Sequence, residues 1–201
     1  DFDFRFVRPI RWMVALFGDD VIPVEITGVK SGKLSRGHRF LRPALVEEAK
    51  AVESLDDAKE LLETAVSAVK NTVASAMNKT AGVVEIPCAE AYEQVLMDNF
   101  VMVDQDARRE LIRQQVIDLA VEEGGHAEID EDLLEEVNYL VEWPTALCGK
   151  FEDKFLALPK ECIITPMREH QRYFPVLKAD GSLLNKFITV RNGGKEHLEV
   201  V

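Results

Sequence analysis

The stretch YFPVLKADGSLLNKFITV, residues 173–190, predicts a β-hairpin and therefore a sheet near the C-terminal end of the chain. Its two apolar runs are separated by ADGS, residues 179–182. Asp-Gly is typical of a tight hairpin turn because both residues tolerate the positive φ angles that such turns require. Near the other end, GDD at residues 18–20 separates residues 12–17 from residues 21–26, which predicts a second hairpin.

Helices are predicted for most of the region between the two hairpins. Apolar residues recur at spacings of three and four over residues 55–76, the period of a long amphipathic helix. Residues 106–123 predict a second helix, ended by the glycines that follow it, and Asp130 is a good N-cap for a third. Residues 47–87, which hold the long helix, are interpreted as a helical insertion.

The remaining predicted elements are short. Strands are predicted at residues 83–86, 100–103 and 146–151, short helices at residues 89–97 and 159–168, and a glycine-rich loop at residues 28–37. Strands thus occur at both ends and helices in the middle, without regular alternation. We therefore expect one α+β domain over residues 1–201, with a mixed or antiparallel sheet and helices packed on it.

The overall composition is that of a globular protein. The 201 residues are 47% hydrophobic and 30% charged. No apolar run approaches the roughly 18 residues that a membrane helix needs, and no signal peptide pattern is present. We therefore expect a cytoplasmic protein without membrane contact. Because the sequence begins with Asp1 rather than Met, we expect it to be part of a longer chain.

Neither a metal site nor a catalytic site is predicted. Cys88, Cys148 and Cys162 form no CxxC pair, so we expect reduced core cysteines rather than zinc ligands. The acidic run at residues 128–136 lacks the spacing of a calcium loop and lies at a helix start, where acids favour the helix dipole. No P-loop, GxGxxG or HExxH motif occurs. We predict no catalytic residue, no metal and no cofactor in this chain.

A first basic cluster stands out from the acidic chain. The net charge is −12, but the excess acid lies within residues 47–160. Between Glu25 and Glu47 there is no acid, and this segment holds RGHRF at residues 36–40. Its predicted RNA contacts share positive charge or an imidazole, and they are Lys30, Lys33, Arg36, His38 and Arg39. The alternative is a solvated basic loop that Phe40 anchors in the core.

A second cluster, REHQRYF, occupies residues 168–174. Its candidate RNA contacts are Arg168, His170 and Arg172. A catalytic role is disfavoured, because adjacent residues do not face one way on a helix or strand and no serine or cysteine adjoins them. In the alternative, Tyr173 and Phe174 begin a core strand while both arginines pair with acids of the central helices.

Four long blocks of the sequence resemble the beta subunit of the bacterial heterotetrameric glycyl-tRNA synthetase. They are FVRPIRWMVALFGDDVIPVEITGVKSG (residues 6–32), RGHRF (36–40), IDEDLLEEVNYLVEWPTALCGKFE (129–152) and LPKECIITPMREHQRYFPVLKADGSLLNKFITVRN (158–192). The blocks follow the family's order, and they lie between residues 6 and 192 of the chain. Residues 47–87 have no counterpart in this resemblance.

The resemblance implies the following expectations. The complete enzyme joins glycine to its tRNA, and the separate alpha subunit uses ATP and Mg²⁺ for the adenylation chemistry. The beta subunit supplies tRNA binding, so the expected partners are glycine tRNA, the alpha subunit and the remainder of the beta subunit. The chain corresponds to the N-terminal part of that subunit, similar in fold to the editing-type domain of the phenylalanyl-tRNA synthetase beta subunit.

Three hypotheses follow for the function. The first is a non-catalytic module that positions tRNA, with the first basic cluster as the main contact. The second is an editing hydrolase for mischarged tRNA, although a glycine pocket can exclude larger amino acids sterically and so has less need of editing. The third is a purely architectural domain whose two clusters bind protein.

Overall fold

The computed structural model describes residues 10–39, 41 and 82–194, and the chain divides into two compact units, residues 1–100 and 101–201. Both units contain strands and helices, which confirms the α+β fold class. One domain over residues 1–201 and the likeness to an editing-type domain both stay predictions. Most of the predicted insertion at residues 47–87, including its long helix, lies outside the described residues.

The described part of the first unit consists of short strands and one α-helix. They are β1 (Met13–Val14), β2 (Leu16–Phe17), β3 (Asp20–Val21), β4 (Glu25–Ile26), β5 (Val29–Gly32), β6 (Leu34–Arg36), β7 (Val83–Glu85) and α1 (Tyr92–Met97). Strand β5 lies between β1, which is parallel to it, and β4, which is antiparallel. Strands β2 and β3 form one antiparallel pair, and β6 and β7 form another.

The predicted hairpin near residues 12–26 is present but shorter than expected. Only β2 and β3 pair across its turn, and the chain then leaves the hairpin at Pro23. Proline has no N–H to donate to a neighbouring strand, so it interrupts the ladder. The Ser31 hydroxyl holds this segment in place, because it accepts from the Val24 N–H (2.9 Å) and donates to the Ile22 carbonyl (2.6 Å).

Two sequence predictions, for residues 28–37 and residues 100–103, are wrong. Residues 28–37, predicted as a loop, instead contain β5 and β6. Thr27 and Gly28 have φ angles of 52° and 82°, as in a two-residue hairpin turn, so the glycine serves a tight turn between paired strands. Residues 100–103, predicted as a strand, form none, because Phe100 has a φ of 60° and this turns the backbone out of the extended region.

The second unit combines a four-stranded antiparallel sheet with helices. Its elements are α2 (Gln105–Glu122), β8 (His126–Ala127), α3 (Glu131–Leu140), β9 (Pro144–Lys150), α4 (Lys160–Pro166), β10 (Phe174–Leu177) and β11 (Leu183–Asn192). A 3₁₀ turn (Asp153–Ala157) precedes α4, and a π-helical turn (Met167–Gln171) follows it. The strand order is β8-β10-β11-β9. The hairpin predicted from ADGS is confirmed as β10 and β11.

The core of the second unit lies between the sheet and α2 and α3. Helix α2 contributes residues four apart along one face, namely Ile112, Val116 and Ala120. Helix α3 contributes Leu133, Leu134 and Val137, and the sheet contributes Phe174, Val176 and Ile188. All nine side chains are buried, so the helical and strand periods of the sequence bury one continuous set of apolar groups.

Side-chain caps and an ion pair fix the two helices. The Asp130 carboxylate accepts from the N–H groups of Asp132 (3.0 Å) and Leu133 (3.1 Å), which confirms the predicted N-cap of α3. Asp104 caps α2 in the same way. Arg113 of α2 donates to both carboxylate oxygens of Glu131 (2.6 and 2.8 Å), so the start of α3 is tied to α2.

Candidate nucleic-acid interface

The cations of the first basic cluster are carried by β5, β6 and the residues beside them. We call Lys30, Lys33, Arg36 and Arg39 the basic strip. Lys30, Arg36 and Arg39 are exposed, whereas Lys33 is half-buried and donates from Nζ to the Pro87 carbonyl (3.1 Å). The Arg36 guanidinium lies over the Trp12 ring, 5.3 Å from its centroid. Three cations therefore lie at the surface on adjoining segments of backbone.

His38 is buried, with only 1% of its surface exposed. Its Nδ1 accepts from the Leu41 N–H (3.2 Å), and the backbone N–H of His38 donates to the Asn99 carbonyl (2.8 Å). A Cβ on the neighbouring Gly37 would lie 2.8 Å from the Asn99 Cβ, so the two backbones touch. His38 therefore stabilises the backbone between Arg36 and Arg39 from a buried position, and its direct RNA contact stays a prediction.

An open pocket lies beside the basic strip in the first unit. Its volume is about 470 Å³, and it is lined by Trp12, Val14, Leu16, Ser35, Ala89 and Tyr92. The aromatic side chains are accessible, with 44% of Trp12 and 37% of Tyr92 exposed. The pocket thus combines two rings, three aliphatic groups and a hydroxyl next to the Arg36 guanidinium.

The arginines of the second cluster are engaged in ion pairs. Arg168 donates to Glu128 (2.9 Å) and lies 3.8 Å from a carboxylate oxygen of Asp130. Arg172 pairs with Glu136 of α3 (2.6 Å) and also donates to the carbonyl of Glu169. Arg172 thus pairs with an acid of a central helix, as in the structural alternative, whereas the partners of Arg168 lie just before α3.

The other residues of the second cluster divide between core and surface. Phe174 is fully buried, and the Tyr173 ring stacks on Phe187 with centroids 4.5 Å apart. His170 is exposed on the π-helical turn. Of the three predicted contacts in this cluster, Arg168 and Arg172 are held in ion pairs, and His170 lies at the surface apart from those pairs.

The cysteines are free thiols in this structure. Cys88 and Cys148 are half-buried, and burial raises the pKa of the Cys148 thiol. Cys162 is exposed, so its predicted core location is wrong. Within residues 10–39, 41 and 82–194, no group of three or more His, Cys, Asp or Glu side chains is placed to hold a metal ion. No helix in these same ranges is long and apolar enough to cross a membrane.

Comparison with known proteins decides the family. A family model described as "Glycyl-tRNA synthetase beta subunit" matches residues 1–71 and 52–201. The chain belongs to this family. The glycine–tRNA ligase beta subunit of Moorella thermoacetica is 46% identical over 98% of this chain, and that of Desulforamulus reducens is 41% identical over 100%. The corresponding subunit of Bacillus subtilis is 41% identical over 99%.

The resemblance predicted from the four sequence blocks is therefore confirmed for the glycyl-tRNA synthetase beta subunit family. The match to these relatives extends over nearly the whole chain, so it includes residues 47–87, which the four blocks left out. The chain spans 23%, 24% and 24% of the length of the three relatives. It thus represents about a quarter of a beta subunit of this family.

Sequence reasoning missed the pocket beside the basic strip. Trp12 and Tyr92 are 80 residues apart, and no spacing rule brings them together. Their proximity depends on backbone hydrogen bonds between distant segments, from the Ala89 N–H to the Gly18 carbonyl (2.8 Å) and from the Ile86 N–H to the Lys33 carbonyl (2.8 Å). The signal in the sequence was limited to two large aromatic residues in short elements.

Proposed function

We propose that this chain is a non-catalytic module of a glycyl-tRNA synthetase beta subunit, in which it helps to position tRNA during ATP-dependent ligation of glycine. The observation that carries the proposal is the basic strip, which presents Lys30, Arg36 and Arg39 at the surface of a chain whose net charge is −12. Family membership supplies the expectation of tRNA, and the strip supplies groups that bind phosphate.

The physical chemistry of the strip suits an RNA backbone. Arginine presents a planar fork of donors that matches two phosphate oxygens, and local sign matters more than total charge within a Debye length. The contacts of His38 with Leu41 and Asn99 hold the backbone that carries Arg36 and Arg39. A preorganised strip loses less conformational entropy when RNA binds.

Arg168, His170 and Arg172 form a second contact in the same proposal. For the two arginines, a phosphate must compete with the carboxylates of Glu128 and Glu136 that already accept from them. Such an exchange replaces one ion pair by another and gains little free energy. The second contact therefore adds little affinity through its arginines, and His170 contributes through its exposed ring.

The remaining parts of the enzyme are partners in this proposal. Catalysis, with its ATP and Mg²⁺, belongs to the alpha subunit, so no residue of this chain is assigned to either group. The remainder of the beta subunit is the second protein partner and glycine tRNA the third. A tRNA-charging enzyme works where translation occurs, so we place the protein in the cytoplasm.

A specific observation favours a second candidate, an architectural domain. Phe17 at the end of β2 is 80% exposed, and Leu34 in β6 is 55% exposed. Large apolar side chains this accessible are typical of surfaces that other protein segments cover. In this candidate function, the first unit packs against another part of the synthetase, and RNA is bound elsewhere.

The test is tRNA binding by this chain at low and moderate salt. We expect Arg36→Glu/Arg39→Glu to weaken affinity at least tenfold. We also expect it to reduce the slope of log affinity against log salt by about 1.4 to 1.8, since each of the two phosphate contacts contributes roughly 0.7 to 0.9. The matched control is Lys150→Glu/Lys178→Glu, which makes the same change of net charge at exposed residues outside both clusters.

The two candidates give different results. Binding that the control retains and the strip variant loses supports tRNA positioning. Binding that both variants weaken equally would show only a response to net charge. Unchanged tRNA binding by the strip variant, together with loss of subunit assembly in Phe17→Ser or Leu34→Ser, would favour the architectural candidate.

A further inference from the structure

The pocket beside the basic strip has the features of a site for a flat ligand. The two exposed rings, Trp12 and Tyr92, line one opening of about 470 Å³. This volume falls in the range of roughly 300 to 1,000 Å³ typical of small-ligand pockets. It therefore accommodates a planar heterocycle with its attached sugar.

The walls of the pocket are held by backbone contacts. Ser35 lies opposite Val84 in the β6–β7 pair, and β7 leads through Ile86 to a second 3₁₀ turn, Ala89–Ala91. The Ala89 N–H donates to the Gly18 carbonyl (2.8 Å), which ties this turn to the β2–β3 hairpin. The walls of the pocket are therefore preorganised, so they lose little conformational entropy when a ligand binds.

The chemistry at the rim points to a nucleotide. The Arg36 guanidinium already lies over the Trp12 ring in a cation–π contact, so a positive charge and an aromatic ring are both present at the rim. Proteins that hold unpaired nucleotides stack the base on an aromatic ring and meet the phosphate with arginine or lysine. The Ser35 and Tyr92 hydroxyls offer hydrogen bonds to the edge of a base.

The charges around the pocket argue against a simple anion as its ligand. Glu90 and Glu93 adjoin Ala89 and Tyr92 on the helical wall and are exposed. They lower the positive potential on that side, so phosphate alone is attracted only toward Arg36. A nucleotide fits this charge distribution, because its neutral base avoids repulsion by the two glutamates and its phosphate lies beside Arg36. The same asymmetry disfavours an acidic peptide.

We propose that the pocket between Trp12 and Tyr92 binds one unpaired nucleobase of RNA by stacking, while the basic strip holds the adjoining phosphates. This inference rests on the proposed tRNA-positioning function and names the part of RNA that the chain reads. Its specificity is for a single-stranded nucleotide, since a paired base inside a duplex cannot enter. Stacking is tolerant of base identity, so the pocket selects strandedness rather than sequence.

The protein carries a reporter for this site. The chain has two tryptophans, Trp12 in the pocket and Trp143 in the second unit. In Trp143→Phe, Trp12 is the sole tryptophan, and a base that stacks on it quenches its fluorescence. If Trp143→Phe does not fold, the difference in quenching between the unmodified chain and Trp12→Phe gives the same information, because phenylalanine keeps a ring but removes the signal.

The probes are hexaadenylate, hexauridylate and an abasic phosphodiester hexamer of equal charge, all titrated at low salt. We expect saturable quenching by the two base-bearing oligomers and none by the abasic one. Tyr92→Leu weakens binding of hexaadenylate by about 5- to 150-fold, the range for loss of one base–aromatic stack. The control is Tyr139→Leu, which removes an exposed tyrosine of the second unit that is 61% accessible.

Each outcome bears on the proposal in a distinct way. Equal binding of abasic and base-bearing oligomers, lost in Arg36→Glu/Arg39→Glu, overturns the base pocket and leaves the tRNA-positioning function standing. Quenching that Tyr92→Leu leaves unchanged also overturns it. Absence of binding by every oligomer and by tRNA overturns both the pocket and the proposed function.

Discussion

The Phe187 ring of β11 lies directly against the backbone of Gly149, its partner in β9. A Cβ at Gly149 would approach a ring carbon of Phe187 to 2.3 Å. The Phe187 ring is also stacked with Tyr173, with centroids 4.5 Å apart and an angle of 10° between the planes. The glycine thus leaves room for an aromatic stack that links the start of β10 to the sheet.

This relationship predicts that Gly149→Ala destabilises the second unit. The methyl group must displace the Phe187 ring and disturb its stack with Tyr173, and overpacking of this kind costs about 1 to 3 kcal/mol of unfolding free energy. Urea denaturation followed by circular dichroism measures the change. The control is Gly32→Ala in β5, where no described residue other than the two chain neighbours has an atom within 4 Å of the added Cβ. Equal stability of both variants would contradict the packing role of Gly149.

The parts of the fold that follow local rules could be predicted from the sequence. The turn Asp180-Gly181 and the N-cap Asp130 act on residues within a few positions, so a short pattern contains all their information. The pairing of Arg168 and Arg172 with acids was one of the alternatives that the sequence left open, because opposite charges attract in any fold. Their partners, Glu128 and Glu136, depend on where the π-helical turn lies relative to α3, and the sequence does not contain that information locally.

The parts that depend on distant segments could not be predicted. Residues 28–37 are rich in glycine, which local rules associate with loops, yet β1, β4 and β7 supply strand partners to them. Tertiary hydrogen bonding overrides a weak local preference in such a segment. The pocket could not be predicted for the same reason, since Trp12 and Tyr92 come together only through the long-range contacts of β7 and of the 3₁₀ turn Ala89–Ala91.

The ion pair between Arg113 and Glu131 predicts a specific dependence of stability on pH. The hydrogen bonds from Arg113 lower the pKa of Glu131, and the same contact raises the pKa of Arg113. A carboxyl group whose pKa is lower in the folded state stabilises above its unfolded pKa, and this stabilisation is lost as the pH falls through the folded pKa. We therefore expect Glu131→Gln to be less stable than the unmodified chain at pH 7, and the difference to shrink below about pH 4.5.

Urea unfolding between pH 7 and pH 3 measures this difference. High salt should reduce it at pH 7, because the pair is exposed to solvent and screened. The matched control is Glu122→Gln, which removes an exposed carboxylate from the last turn of α2. A difference that stays constant over the whole pH range would exclude the ionised pair as its cause.

The contacts of Arg172 predict that this residue acts mainly on stability. It pairs with Glu136 and occupies a left-handed backbone conformation, with φ of 60°, at the end of the π-helical turn. A double-mutant cycle of Arg172→Ala and Glu136→Ala should give a coupling of roughly 0.2 to 1 kcal/mol in unfolding free energy, as for partly exposed pairs. We expect tRNA affinity to change less than twofold in Arg172→Ala. A tenfold loss of affinity without a change in stability would contradict this, because Arg172 would then be a strong RNA contact rather than a weak one.

The buried imidazole of His38 predicts that His38 affects tRNA binding by stabilising the backbone, whereas its exposed neighbour Arg39 contacts the RNA. His38→Ala removes the acceptor for the Leu41 N–H and leaves a cavity, so both stability and tRNA affinity should fall. His38→Asn retains a side-chain acceptor near the Nδ1 position and should restore part of both. Arg39→Glu, at an exposed neighbour, should weaken tRNA binding under conditions in which the variant is fully folded. Stability from urea unfolding and affinity at fixed salt, measured on the same three variants, distinguish the roles. Loss of affinity in His38→Asn equal to that in His38→Ala, with full stability, would show that the imidazole itself reaches the RNA.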